Sequence, residues 1–249
     1  MAPKGAFVYT SRQARTFVRP ALRGVGFLGW EVRMNRLFLA AVAGAALLVT
    51  PAARAQVPAA PPPPVPVQAP TGGFHTHDGG YLHLEGGFGS LGSKADLGGT
   101  SMEVSGTGGE FAIGAGYAVT PNLILGGQLW GVSVSSPTVK VGGLEGTASG
   151  SAGLTAFGLE ATYYFTEVGV YLSAVPSFAT LHSESNGSSG STKTGFAIKL
   201  AVGKEWWVSD NWGIGLNAQY AHSSNEDSGT NPLTWATNYF GVAFSATYN

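Results

Sequence analysis

Eight runs of alternating side chains constrain this chain more than any other feature. In one of them the apolar residues Phe157, Leu159 and Ala161 alternate with Gly158 and Glu160. Successive side chains of a β-strand point to opposite faces, so a period of two predicts strands. The predicted strands are Gly80–Gly89, Glu110–Val119, Leu123–Val134, Leu154–Phe165, Gly169–Leu181, Thr194–Val208, Trp212–Ser223 and Thr234–Tyr248.

The connections between these strands alternate in length. Three are tight turns, at residues 120–122, 166–167 and 209–211. Short turns at one end and long loops at the other are typical of bacterial transmembrane barrels. The sequence therefore predicts an all-β fold, an eight-stranded antiparallel up-and-down transmembrane β-barrel with both termini periplasmic. The long loops, expected to be extracellular and rich in Gly, Ser and Thr, are 90–109, 135–153, 182–193 and 224–233.

The composition agrees with a sheet whose outer surface does not face water. Charged residues make up 11% of the chain, against about 25% in soluble domains. Hydrophobic residues make up 44%, and there are 38 glycines. Few charges together with many apolar residues favour a membrane protein over a disordered one.

A signal peptide is predicted at residues 34–55. Arg36 supplies the positive charge, Leu37–Val49 is an apolar run, and Ala53-Arg54-Ala55 has the small residues of a cleavage site. The run is shorter than the roughly 20 residues of a membrane-spanning helix. We expect export, with cleavage after Ala55.

The remaining segments divide the chain into four parts. Residues 1–33 have no place in such a signal; we interpret them as a misassigned N-terminal extension with Met34 as the true start, or else as a long n-region. Residues 56–78 are predicted to be a Pro-rich periplasmic linker of extended polyproline conformation. Residues 79–249 are predicted to form the outer-membrane barrel.

Several kinds of chemistry are excluded or disfavoured. After cleavage the chain keeps five lysines, no arginine and 13 acidic residues, a net charge of −8, so no nucleic acid is expected as a partner. The absence of cysteine excludes disulfides and thiol sites. His75, His77 and Asp78 are interpreted as a flexible, exposed lead-in rather than a metal site, since no further ligands are fixed nearby. No metal and no cofactor are predicted.

Three tryptophans crowd the turn at residues 209–211. Trp and Tyr are enriched where a barrel wall meets the membrane surface, because their rings combine an apolar body with a polar tip. Lys204 lies close to this turn, and the alternation predicts that its side chain points outward. We expect its aliphatic stem to extend toward the lipid headgroups. The predicted periplasmic aromatic girdle consists of Trp206, Trp207, Trp212, Phe165, Tyr117 and Tyr248.

The opposite parity predicts a polar barrel interior. Eight strands make a barrel just wide enough to be filled by its own side chains. Lys199 is the only cation among the inward positions, and a buried charge needs a partner. We expect a polar plug in which Lys199 pairs with a carboxylate, first of all Glu160 or Glu85. The predicted interior network consists of Lys199, Glu160, Glu85, Glu205 and His83.

The chain resembles the small outer-membrane barrels of the OmpA/OmpX/Ail type. The resemblance rests on GYLHLEGGFG (80–89), GAGYAVTPNLILGG (114–127) and YFGVAFSATYN (239–249). It implies that the barrel-assembly machinery reads the outward alternation of the last strand, which ends on Tyr248 followed by one extra residue, Asn249. It also implies contact with outer-membrane lipid.

These observations favour a structural or surface-interaction barrel without an open pore, whose extracellular partner the sequence does not identify. Two alternatives stay open. In the first, His222 and Ser224 lie on one face of the strand stretch YAHSS, with Glu226 nearby. A base and a nucleophile on one face suggest a lipid A-modifying hydrolase of the outer membrane. A polar strand end that enters a loop accounts for these residues more simply. A soluble periplasmic lipocalin-like barrel would need its apolar face inside.

Overall fold

The computed structural model describes residues 77–185, 188–229 and 231–249. The predicted N-terminal extension, signal peptide and linker up to residue 76 lie outside these residues. Among the described residues, no helix is long and apolar enough to cross a membrane. The strands within the described part are β1 (Gly79–Asp96), β2 (Ser101–Thr120), β3 (Leu123–Ser135), β4 (Thr138–Val141), β5 (Leu144–Thr147), β6 (Ser151–Phe165), β7 (Val170–Ser185), β8 (Ser188–Ser191), β9 (Gly195–Trp207), β10 (Trp212–Glu226) and β11 (Thr234–Tyr248).

Eight long strands close into an antiparallel barrel. Each of β1, β2, β3, β6, β7, β9, β10 and β11 pairs with the next of this series, and β1 also pairs with β11. Leu82 of β1 thus lies opposite Ala115 on one side and Tyr248 on the other. Closure leaves no free edge among these strands, as a membrane-spanning sheet requires.

The tight turns lie at one end of the barrel, where Thr120, Phe165 and Trp207 end their strands. Backbone hydrogen bonds close them, for example from Val208 N–H to the carbonyl of Trp212 at 2.9 Å. Short turns are periplasmic in barrels of this kind. This end is called the periplasmic end below, and the opposite end is called the outer end.

Residues 90–109, predicted to be a loop, are mostly strand. β1 and β2 stay paired from Ser90↔Thr107 to Asp96↔Ser101, so only residues 97–100 connect them. In this part of β1 the apolar side chains Leu91 and Ala95 are buried on the inner face, whereas Lys94 and Asp96 are exposed. The outward apolar alternation by which the strand was identified in the sequence therefore ends, while the backbone pairing continues.

The same correction applies to the other three predicted loops. Residues 135–153 contain β4 and β5, and β4 pairs with β2. Residues 182–193 contain β8, which pairs with β7. In 224–233, β10 continues to Glu226.

The apolar face of the sheet is outside. Leu159 is 71% exposed, and Leu200 and Val242 are also exposed, whereas their neighbours Glu160 and Lys199 are buried. A lipocalin-like barrel would show the opposite arrangement. This wall is suited to lipid, not to water.

The interior is tightly packed. Trp130, Tyr171 and Tyr239 are among its fully buried side chains. Tyr171 lies against the backbone of Gly203 so closely that a Cβ at Gly203 would overlap the tyrosine ring. Only glycine allows this ring to reach the strand.

Candidate functional site

A buried lysine lies at the centre of the barrel interior. Lys199 of β9 is 2% exposed, and its Nζ donates to Oε2 of Glu85 on β1 at 2.6 Å. Asn217 of β10 donates to the other oxygen of Glu85 at 2.7 Å. The ring centre of Trp130 on β3 lies 5.8 Å from Nζ. These contacts compensate the desolvation of both charges and connect four strands through the lumen.

His83 extends this cluster to a second carboxylate. Its Nε2 lies 3.6 Å from Oε1 of Glu85, and its Nδ1 lies 3.5 Å from Oε1 of Glu160. Both ring nitrogens face carboxylate oxygens, an arrangement suited to the doubly protonated imidazolium. Thr162 Oγ1 lies 3.0 Å from Glu160 Oε1 and 2.9 Å from Ser173 Oγ. Glu160 therefore contacts His83, whereas Lys199 pairs with Glu85.

Glu110 belongs to the interior although the sequence analysis did not include it. Gln219 donates from Nε2 to Oε1 of Glu110 at 2.6 Å, and the same nitrogen lies 3.3 Å from Oδ1 of Asn217. Glu110 has the same parity as the inward Ala112. The alternation of β2, followed from Ala112 toward the outer end, predicts that Glu110 points inward. Glu110 was missed because the predicted strand begins at this residue.

Glu205 lies in a separate cluster at the periplasmic end. Six residues separate it from Lys199 along β9, about 20 Å, so it is not a partner of the lysine. Thr247 donates to its Oε2, and Tyr164 donates to the same oxygen at 3.3 Å. The aromatic rings of Tyr81, Tyr164 and Tyr171 pack around this level together with Ile124.

His77 fills the periplasmic mouth of the barrel, so its interpretation as an exposed lead-in is wrong. The residue is 3% exposed, and its ring centroid lies 3.9 Å from that of Tyr164. Asn249 donates to its Nδ1 at 2.7 Å, and its Nε2 lies 3.6 Å from Oε1 of Glu205. Burial lowers the pKa of His77 to about 4. His77, which was assigned to the linker, therefore packs with the barrel.

Five members of the expected girdle lie near the periplasmic turns. Trp212 and Tyr248 contact each other edge-on, with ring centroids 5.2 Å apart. Trp207 differs, because it is half-buried and has inward parity, with its ring 5.1 Å from that of His77. The outward side chains, called the periplasmic rim below, are Tyr117, Phe165, Trp206, Trp212 and Tyr248.

The outer half of the interior contains an apolar cluster that was not expected from the sequence. Val132, Val134 and Leu154 are almost fully buried there, and they pack with Leu91 and Tyr239 in one cluster. Inward parity alone does not distinguish this apolar layer from the polar layer below it.

A small polar group faces outward near the outer end of β10. His222 Nδ1 lies 3.0 Å from Oδ1 of Asn238 on β11, and Tyr220 donates to the same oxygen at 2.8 Å. Because an amide oxygen only accepts, this hydrogen bond requires a proton on Nδ1 of His222. Ser224 is on the same face of the strand, about 7 Å along it. Among the described residues no cluster of three or more His, Asp or Glu is placed to hold a metal ion.

Comparison with known proteins gives distant likenesses only. No family model matches the chain, and no curated protein matches it. Similar solved structures include Neisserial surface protein A, with 19% identity over 67% of this chain and 96% of that one and a TM-score of 0.46. OprG of Pseudomonas aeruginosa has 16% identity over 71% and 100%, with a TM-score of 0.44. The outer membrane protein AlkL has 15% identity over 75% and 95%, with a TM-score of 0.47. Likenesses this distant do not indicate what the chain binds.

The structure itself defines the class of protein. A closed eight-stranded antiparallel barrel has its apolar face outside, its polar and small side chains inside and its short turns at one end. These are the features of a bacterial transmembrane barrel. In architecture the chain resembles the small eight-stranded barrels of the OmpA/OmpX/Ail type.

Proposed function

We propose that the protein is a structural or surface-interaction barrel without an open pore. The observation that supports this most is the filled interior. The Lys199–Glu85 pair occupies the middle, the apolar cluster around Val134 lies on its outer side, and His77 with its aromatic neighbours lies on its periplasmic side. Such a barrel serves as an anchor for what it carries outside the membrane.

The outer end carries an ordered surface in place of simple loops. β4 adds to β2, β5 adds to β4, and the outer edge of β5 has no partner strand among the described residues. Leu144 of β5 is 66% exposed. A sheet edge with an exposed apolar residue is suited to contacts with another molecule. We propose this hairpin as the interaction surface, its partner being unknown.

Conductance and binding measurements test the two parts of this function separately. In planar lipid bilayers the purified protein is expected to give no conductance steps. A porin of known conductance, reconstituted in the same bilayers, is the control that shows that steps are detectable. Steps from the unmodified protein would contradict the closed interior. Replacing residues 138–147 by a Gly-Ser turn is expected to reduce surface adhesion of cells that express the protein, without changing its amount in the membrane.

A second candidate function rests on the polar group at the outer end of β10. We infer that a lipid hydrolase is chemically possible there, because Asn238 orients the ring of His222 and Ser224 follows on the same face. An asparagine in this role occurs in known triads. Mass spectrometry of lipid A from cells with the protein, without it, and with Ser224→Ala or His222→Gln decides the matter. Identical acylation in all four excludes the hydrolase.

A further inference from the structure

One charged side chain interrupts the apolar wall between the aromatic residues at its two ends. Lys204 of β9 is exposed and has outward parity. Its ladder neighbours are Val170 on β7 and Leu216 on β10, which are both apolar. Its Nζ lies 5.9 Å from the ring centre of Trp206, and within the described part of the chain no carboxylate pairs with it. The described residues therefore provide this cation with no anion.

An apolar groove of about 480 Å³ lies in the wall beside Lys204. Ala218 of β10 lies between Val202 and Val242 in the ladder, and the three side chains share the outward face. The methyl group of Ala218 is smaller than its neighbours, so a depression forms there. Leu216 borders the groove on the side of the periplasmic end.

Along the wall, the lysine and the groove follow the same order as the headgroup and the acyl chain of a lipid molecule. Trp206 is nearest to the periplasmic turn, Lys204 is two residues deeper, and Val202 is two residues deeper again, or about 7 Å for each step. A lysine stem lies along apolar surface while its ammonium reaches the headgroup level. From the periplasm inward, the wall thus presents an indole, an ammonium group and an apolar groove.

We propose that this groove is a binding site for one anionic glycerophospholipid of the periplasmic leaflet. Lys204 holds the phosphate, and one acyl chain lies in the groove over Ala218. An anionic lipid is inferred as the occupant because no described carboxylate pairs with Lys204, and a lipid phosphate would supply the missing negative charge. An anionic headgroup is favoured over a zwitterionic one because the latter carries its own ammonium, which competes for the phosphate.

The two halves of the site are tested by separate substitutions. Lys204→Gln removes the charge and leaves the groove; Lys204→Arg restores the charge. Ala218→Leu fills the groove and leaves the charge, and an apolar residue is tolerated at this lipid-facing position. Lys94→Gln is the matched control, because Lys94 is also an exposed, outward lysine but lies at the outer end of β1. Each variant is first required to show the same heat-dependent gel mobility as the unmodified protein.

Lipid retention is measured by native mass spectrometry of the protein in a nonionic detergent. The probes are dioleoyl phosphatidylglycerol, dioleoyl phosphatidylcholine and dioleoylglycerol, which lacks the phosphate. We expect one phosphatidylglycerol molecule to be retained about five-fold more strongly than phosphatidylcholine, as one favourable charge near the membrane surface predicts. The preference is expected to disappear in Lys204→Gln and return in Lys204→Arg. Ala218→Leu is expected to weaken retention of both phospholipids, and Lys94→Gln to change nothing.

Two results overturn the proposal. Equal retention of the three lipids by the unmodified protein means that the wall holds ordinary boundary lipid only. Retention of phosphatidylglycerol that is unchanged in Lys204→Gln means that the lysine merely extends into the headgroup layer.

Discussion

At the scale of single residues, the interior depends on how one buried cation is neutralised. Lys199 and Glu85 are both about 2% exposed, so neither charge is stabilised by water. Removing one member leaves the other charge buried without a partner, which is costly, whereas removing both at similar volume is often nearly neutral. Comparing a single substitution with the double substitution therefore shows whether the lysine is stabilised by a paired charge or only by packing.

Lys199→Met is expected to lower the free energy of unfolding by about 3–5 kcal/mol. The double variant Lys199→Met/Glu85→Gln is expected to recover most of that loss. Urea unfolding in lipid vesicles measures both. Lys140→Met is the control, because Lys140 forms an exposed pair with Glu145 at 3.2 Å and its loss costs about 0–1 kcal/mol. Equal effects at positions 199 and 140 would contradict the interior network.

The charge of His77 is expected to depend on its burial. Its pKa is lowered to about 4, from about 6.5 in an unfolded chain. Between these values the unfolded segment binds a proton that the packed imidazole does not, so packing of His77 becomes less stable as the pH falls from about 6.5 to 4. The groups that face the ring are Glu205, Tyr81, Tyr164, Trp207 and Asn249.

NMR titration of the His77 ring checks this expectation. The signal of the neutral imidazole is expected to persist well below pH 6 and to titrate near pH 4. The variant His77→Gln assigns the signal by its loss. A midpoint near 6.5 would mean that the ring is in water and not in the barrel mouth.

At the scale of the elements, the last strand has two separate tasks. Its inward residues serve the interior, as Thr247 does for Glu205. Its outward residues Val242, Phe244 and Ala246 form an apolar row that ends on Tyr248, which contacts Trp212. We propose that the barrel-assembly machinery recognises this outward row.

Tyr248→Ala is expected to reduce the amount of folded barrel in the outer membrane several-fold, because it removes the terminal aromatic residue of that row. Gel mobility of unheated membranes measures the folded fraction. Phe240→Ala removes an exposed aromatic ring from the outer part of the same strand and is expected to have little effect. Equal losses in the two variants would assign the effect to wall stability instead of recognition.

At the scale of the whole molecule, the apolar wall determines where the protein is stable. All eight barrel strands carry exposed large apolar side chains, for example Phe88 on β1, Leu159 on β6 and Phe244 on β11, so the apolar band surrounds the barrel. Water would not tolerate such a surface, and lipid does. The protein is expected to remain in the membrane fraction after a high-salt wash and to migrate faster when unheated. Release by salt would contradict a wall that faces lipid.

The sequence by itself determined the number of barrel strands, the tight turns and the direction of the apolar face. Each follows from a local rule, since side chains alternate along a strand and turns interrupt the alternation. Residues 80–89 illustrate the limit of that rule, because β1 continues to Asp96 where the alternation no longer marks it. Pairing with β2 maintains the strand there. Because pairing involves two segments of the chain, the alternation within one segment does not predict it.

Only the tertiary structure decided which inward residues meet. Parity placed Glu85, Glu160 and Glu205 inside, and the sequence favoured Glu160 or Glu85 as the partner of Lys199 without deciding between these two. The structure pairs Lys199 with Glu85, a choice that depends on strand stagger and on depth along the barrel axis. The same holds for His77, which enters the barrel mouth because Tyr164 and Asn249, distant in sequence, are brought beside it. Alternation along a strand is a local property of the chain, whereas the distance between side chains on different strands exists only after the barrel has closed.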